Sequence, residues 1–152
     1  KGPENAAHLI SLFGDFGISH RVDIIDEPLP SRFFAMADIG LTAMPFPSAQ
    51  GALEALWGGV PIITATGDGR HTRHVASLLH HLGMDDDGMI ATTDAEYVDL
   101  AVAWAMDPGR RKSFRDGVRD RILTAECLAS AVRIKDLESL YETFWKQACE
   151  GR

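Results

Sequence analysis

Two cysteines, Cys127 and Cys149, are all the thiol chemistry in 152 residues, and their spacing is not that of a metal site. A disulfide framework is excluded as the organising device, and a reduced, cytoplasmic chain is the plainest reading. No apolar run approaches the roughly 20 residues that cross a bilayer, so no membrane span is expected. No secretory leader is visible. Positive charge is in deficit: 15 Lys and Arg stand against 22 Asp and Glu, a net charge of −7. Such a chain has little non-specific grip on nucleic acid phosphates or an anionic membrane. Also missing are a G-x-S-x-G elbow, a P-loop, internal repeats and low-complexity tracts. The first residue is Lys, not Met, and the chain is expected to begin inside a longer protein or to have lost its start.

What is present centres on residues 38–83. Two short apolar runs, residues 39–44 and 60–64, read as buried strands. Each is followed by a turn of small residues and then by a helical pattern. The first turn, residues 45–51, is built from Pro, Ser, Gln and Gly; the second, residues 67–70, holds two glycines and one Asp. The motif is strand–loop–helix written twice, and ligands of open α/β sheets sit at the carboxyl ends of such strands. Helix 51–57 is expected to bury Leu53, Leu56 and Trp57, closing at Gly58-Gly59. Helix 72–82 is expected to bury Val75, Leu78, Leu79 and Leu82.

Around this unit the pattern continues. Residues 5–13 read as a helix with Leu9, Leu12 and Phe13 near one face, ended by Gly14 and Gly17. Residues 21–25 read as a short strand, 26–30 as a loop and 31–37 as a short helix. Residues 89–91 are a minimal strand. Thr93 and Glu96 fit a capping box, and Asp107-Pro108 is an N-cap followed by Pro at the first helical position. A last helix spans about 128–149. The fold class is therefore α/β: a Rossmann-like parallel sheet of about four to five strands with a helical C-terminal tail.

Several groups could carry chemistry. Ser48, Ala49, Gln50 and Gly51 run into a helix carrying Glu54. Small residues admit a ligand to the backbone, and free amides at a helix start favour anions. Glu54 could reach a ribose hydroxyl, or merely complement the helix dipole. Arg70 and Arg73 could pair with phosphate oxygens, or sit in a solvated turn. His71, His74, His80 and His81 invite a metal reading, but a His-rich surface helix is preferred. The basic run Arg110, Arg111, Lys112, Arg115, Arg119 and Arg121 is interleaved with Asp116 and Asp120 and reads as a solvated face. Trp57, Trp104 and Trp145 are expected in the core.

Taken together, L-T-A-M-P-F-P, A-L-E-A-L-W-G-G-V-P-I-I-T, the later R-x-V-A-S-L-L, the A-E-Y-V-D-L-A-V stretch and the closing L-E-S-L-Y-E-T-F-W resemble the C-terminal part of the O-linked N-acetylglucosamine transferase family, with its related bacterial N-glucosyltransferases. The likeness runs from about Ile24 to Trp145. It implies the C-terminal half of a two-domain GT-B-type glycosyltransferase. Residues 1–127 would form the nucleotide-sugar-binding domain, incomplete at its N-terminus. Residues 128–152 would be a helix packing on it or on the N-terminal domain of the same full-length chain. The donor would be UDP-N-acetylglucosamine or UDP-glucose, the acceptor a protein, with no cofactor or metal, and the isolated fragment would be inactive. By position, Ser48, Ala49, Gln50 and Gly51 would hold the diphosphate, Glu54 would meet the ribose, and the segment from Ile25 to Arg32 would frame the uracil. No catalytic residue is assigned. The chain departs from the family where a His-Thr-Thr-like run usually stands, having Ala49-Gln50-Gly51, and where Lys and His near the base are replaced by Glu27 and Pro30. A module that has lost transfer activity is the alternative, and a sugar-nucleotide epimerase a weaker third reading.

Overall fold

A computed structural model describes residues 3–25 and 29–150. Three parallel strands lie side by side in chain order: β1 (Gly40–Leu41), β2 (Ile62–Ala65) and β3 (Ile90–Ala91). Gly40 pairs with Ile62 and Leu41 with Ile63, while Thr64 pairs with Ile90 and Ala65 with Ala91. Helix α1 (Pro3–Asp15) and α2 (Pro30–Ala35) precede the sheet. Helix α3 (Ala49–Trp57) joins β1 to β2, and α4 (His74–His81) joins β2 to β3. Helices α5 (Asp94–Met106), α6 (Pro108–Thr124) and α7 (Ser130–Glu150) follow.

β2 is the centre of the fold. All four of its residues are buried, which requires cover on both faces of the sheet. Helices α3 and α4 pack against each other and against β2, and α5 packs on β2 and β3. Ala55, Leu56, Val60, Ile63, Val75, Leu79, Met84, Met89 and Trp104 form the driest part of the core. Trp104 meets Phe114 of α6 edge to face at 5.4 Å and donates its indole N–H to the Gly88 carbonyl at 2.8 Å. Helix α3 stops where Gly59 takes φ +82°, with Gly59 and Val60 amides returning to Leu56 and Ala55 carbonyls at 2.9 Å each. That is the paired closure that a left-handed glycine permits.

Several expectations are corrected. Among the described residues there are three strands, not four to five. Residues 19–21 form a 3₁₀ turn and residues 22–25 make no strand pairing; Ile24 and Ile25 stay about half exposed. The loop expected at 26–30 falls largely on residues 26–28, outside the described residues. Trp57 is 47% and Trp145 72% exposed, and only Trp104 of the three is buried. Helix α3 buries Ala52, Ala55 and Leu56, with Leu53 only partly covered. Helices α1 and α7 leave Leu9, Leu12, Leu137, Leu140, Phe144 and others exposed. Among the described residues no helix is long and apolar enough to cross a membrane.

The basic run is a solvated face only in part: Lys112, Arg115 and Arg119 are exposed, while Arg110, Arg111 and Arg121 are half-buried. On α6, Arg110, Arg111, Arg115, Arg119 and Arg121 also donate to backbone carbonyls of other segments, and Lys112 pairs with Asp116 at 2.8 Å. The carbonyls left unsatisfied at helix ends draw these cations inward.

Candidate functional site

Because β1 and β2 are parallel neighbours, the loops that leave them emerge on the same rim of the sheet. Residues 42–48 leave β1 and residues 66–69 leave β2. The second loop runs into a 3₁₀ turn at Arg70–Arg73, and the rings of Phe46 and His71 of that turn lie 5.2 Å apart. Beneath them the Thr42 hydroxyl donates to the Thr64 hydroxyl at 3.0 Å, and the Thr66 hydroxyl donates to the Ala91 carbonyl at 3.2 Å.

Ser48 has an extended backbone and caps α3, its hydroxyl accepting from the Gly51 amide at 3.1 Å. The Ala52 amide closes the first turn onto the Ser48 carbonyl at 3.0 Å. The amides of Ala49 and Gln50 carry no acceptor among the described residues. They are two unspent donors at the positive end of a helix. One turn on, Glu54 accepts from the Gln50 side chain at 3.1 Å.

The candidate residues are distributed over separate concavities. Ser48 and Gly51 line a groove of about 220 Å³ with Phe34, Gly40, Leu41, Thr42 and Phe46. Glu54 lines a larger cleft of about 610 Å³ with Ser31, Leu53, Trp57 and Arg119. Helices α2 and α3, which pack together, contribute to both. Arg70 opens a third hollow with Arg73, His74 and Ser77. Ile25 lines a fourth with Phe33 and Met36, and Arg32 is exposed on α2. Arg73 makes a long bond to the Asp68 carbonyl at 3.4 Å. His80 pairs with Asp85 at 2.8 Å, and no group of three metal-ligating side chains occurs among the described residues.

Two features escaped the sequence reading. Phe46 is 74% exposed on the rim, where a Pro-flanked aromatic in a loop was the available signal. Tyr97, in the first turn of α5, donates to the Thr42 carbonyl at 3.0 Å from 55 residues away. Its signal was one hydroxyl in a partly buried helical position.

The model of glycosyl transferase family 41 matches residues 31–137. The chain belongs to glycosyl transferase family 41. Among relatives, it is 30% identical over 138 residues to a probable UDP-N-acetylglucosamine–peptide N-acetylglucosaminyltransferase SPINDLY of Arabidopsis thaliana, covering 88% of this chain and 15% of that protein. It is 28% identical over 148 residues to the SPINDLY protein of Solanum lycopersicum, covering 93% of this chain and 16% of the other. Among solved structures, the Thermobaculum terrenum O-GlcNAc transferase mutant K341M superposes with a TM-score of 0.84 at 25% identity, over 98% of this chain and 29% of that one. The chain thus spans about a sixth of the length of these SPINDLY relatives. The family 41 match includes every candidate residue named above except Ile25.

Proposed function

We propose that this chain supplies the donor-binding surface of a glycosyltransferase that moves a sugar from a UDP-sugar to a polypeptide. The observation that carries the reading is the start of α3. Two uncommitted amides, Ala49 and Gln50, stand at a helix N-terminus on the carboxyl rim of a parallel sheet, with Glu54 one turn away. Departure of the sugar leaves a second negative charge on the diphosphate, and fixed amide dipoles stabilise that charge without reorganising. Arg70 opens a separate hollow beside the second loop, and it would add a cation in the same role, with no metal ion, where its side chain turns toward the α3 start. Glu54 accepts from the ribose hydroxyls, and the segment from Ile25 to Arg32 frames the base. The acceptor and the catalytic base come from the rest of the full-length protein, in a cytoplasmic setting suited to two free thiols. In that protein the apolar residues of α7 lie against the N-terminal domain.

UDP-N-acetylglucosamine is the donor named for the plant relatives, which makes it the first to test, with UDP-glucose second. Titration of UDP into the full-length protein, followed by calorimetry, is expected to give binding between micromolar and millimolar, lost in Glu54→Ala. The alternative, a non-catalytic binding or assembly module, has one observation on its side: neither Ala49 nor Gly51 adds a side-chain donor, and the Gln50 side chain donates to Glu54. Absence of UDP binding in the full-length protein would decide for the module. Isomerisation of UDP-N-acetylglucosamine would instead indicate the epimerase.

A further inference from the structure

We propose that Tyr97 is a positioning residue for the diphosphate loop. The inference rests on the donor reading above and names the group that holds the loop in place.

The loop needs such a group. β1 is two residues long and is paired on one side only among the described residues, through Gly40 and Leu41. The Thr42 amide makes the last ladder bond, to the Ile63 carbonyl at 3.0 Å. Beyond it the backbone must turn out to Ser48 with no further strand to guide it. The Thr42 carbonyl is the next acceptor on the path, and Tyr97 takes it at 3.0 Å.

The tyrosine is itself well anchored. It lies in the first turn of α5, its amide bonded to the Thr93 carbonyl at 2.9 Å, and its ring packs on the hydrophobic core. α5 starts immediately after β3, whereas Thr42 follows β1, so this one side chain reaches across the width of the sheet above β2. The Thr42 hydroxyl is held separately, by Thr64. Thr42 is therefore fixed at its amide, its hydroxyl and its carbonyl, by three different partners. The Tyr97 phenol is a donor at neutral pH at its ordinary value, and burial pushes it higher still. In Tyr97→Phe the ring can stay packed while the Thr42 carbonyl loses its partner, so the peptide plane that starts the loop loses its anchor although the Thr42 amide and hydroxyl keep theirs. The consequence should fall on the diphosphate, which the loop holds, and not on the nucleoside.

The test is a comparison of UDP and uridine affinities in the full-length protein, by calorimetry and ligand-observed NMR. Tyr97→Phe is expected to weaken UDP about fivefold to tenfold, the size of one lost hydrogen bond, and to leave uridine unchanged. Trp104→Phe serves as the control. It also deletes one side-chain-to-carbonyl bond, but to Gly88, before β3 at the opposite end of the sheet; it is expected to lower the melting temperature without altering the UDP-to-uridine ratio. Equal UDP affinity in wild type and Tyr97→Phe, or equal loss for UDP and uridine, overturns the proposal while leaving the donor reading standing. Failure of the wild type to bind UDP overturns the donor reading and this inference with it.

Discussion

Arg119 donates from Nε to the carbonyl oxygen of Trp57 across 2.9 Å, linking α6 to the end of α3 over 62 positions of sequence. Its neighbours repeat the arrangement. Arg115 reaches the Gly59 carbonyl, Arg121 the Gly83 carbonyl and the Asp87 carboxylate, and Arg111 the Trp104 and Ala105 carbonyls at the end of α5. Helix carboxyl ends carry unsatisfied carbonyls and partial negative charge. One basic helix thus closes the ends of three others, and it fixes the lower end of the helix whose upper end carries the uncommitted amides.

That arrangement separates the cations of α6 by consequence. Arg121→Ala removes a 2.6 Å ion pair with Asp87, partly shielded from water, and an exposed bond to Gly83, and is expected to cost about 1–2 kcal/mol. Lys112→Ala breaks an exposed pair with Asp116 and should leave the urea midpoint where it was. Equal midpoints for the two variants would return the helix to the solvated face that its composition suggests.

A second expectation concerns two glycines. At Gly59 the backbone is left-handed and an added Cβ would lie 2.6 Å from Arg115 Cγ. Gly59→Ala should cost at least about 1–2 kcal/mol from the backbone alone, with the clash in addition. Gly117 stands mid-helix in α6 with nothing within 4 Å of an added Cβ. Gly117→Ala should stabilise by about 0.5–1 kcal/mol. Urea unfolding of both variants reads the difference in sign.

The doubled strand–loop–helix unit was legible because its signals are local: apolar runs of strand length, glycine at helix ends, and caps at Thr93 and Asp107. Both caps form, to Glu96 and Arg110 amides at 3.2 and 2.8 Å. The inward turn of the α6 arginines was not legible, since it depends on where distant carbonyls end up. Nor was the absence of strand pairing at residues 22–25. A strand needs a neighbour, and periodicity reports only that a segment could be one. The separation of the candidate residues into distinct concavities is likewise a tertiary property, set by how α2 lies against α3.

Glu96 gives a pH dependence with a definite sign. Its carboxylate accepts from the Thr92 amide at 2.7 Å and the Thr92 hydroxyl at 2.8 Å, and these donors hold its carboxyl below the ordinary 4.5. A depressed folded value stabilises the fold above the unfolded value, and that contribution fades as pH falls below 4.5 through the folded value. Glu96→Gln should therefore be less stable than wild type near neutral pH, with the gap narrowing as acid titrates the wild type. A gap that stays constant from pH 7 to pH 3 would sink the assignment.

Ser48 offers a way to tell a cap from a ligand. Its hydroxyl faces back to the Gly51 amide, so its first role is to start α3, and Ser48→Ala should cost about 0.5–2 kcal/mol. Ser48→Gly, by the same principle, should cost only a few tenths, since glycine tolerates the cap conformation and leaves water to serve the amide. If the diphosphate is held by backbone amides, the glycine variant keeps its UDP affinity within about twofold, because the amides of Ala49 and Gln50 survive the change. If instead the serine hydroxyl turns to donate to phosphate when donor binds, both variants lose affinity alike, whatever their stability. Calorimetric titration of UDP into the two full-length variants, alongside their melting temperatures, separates these outcomes.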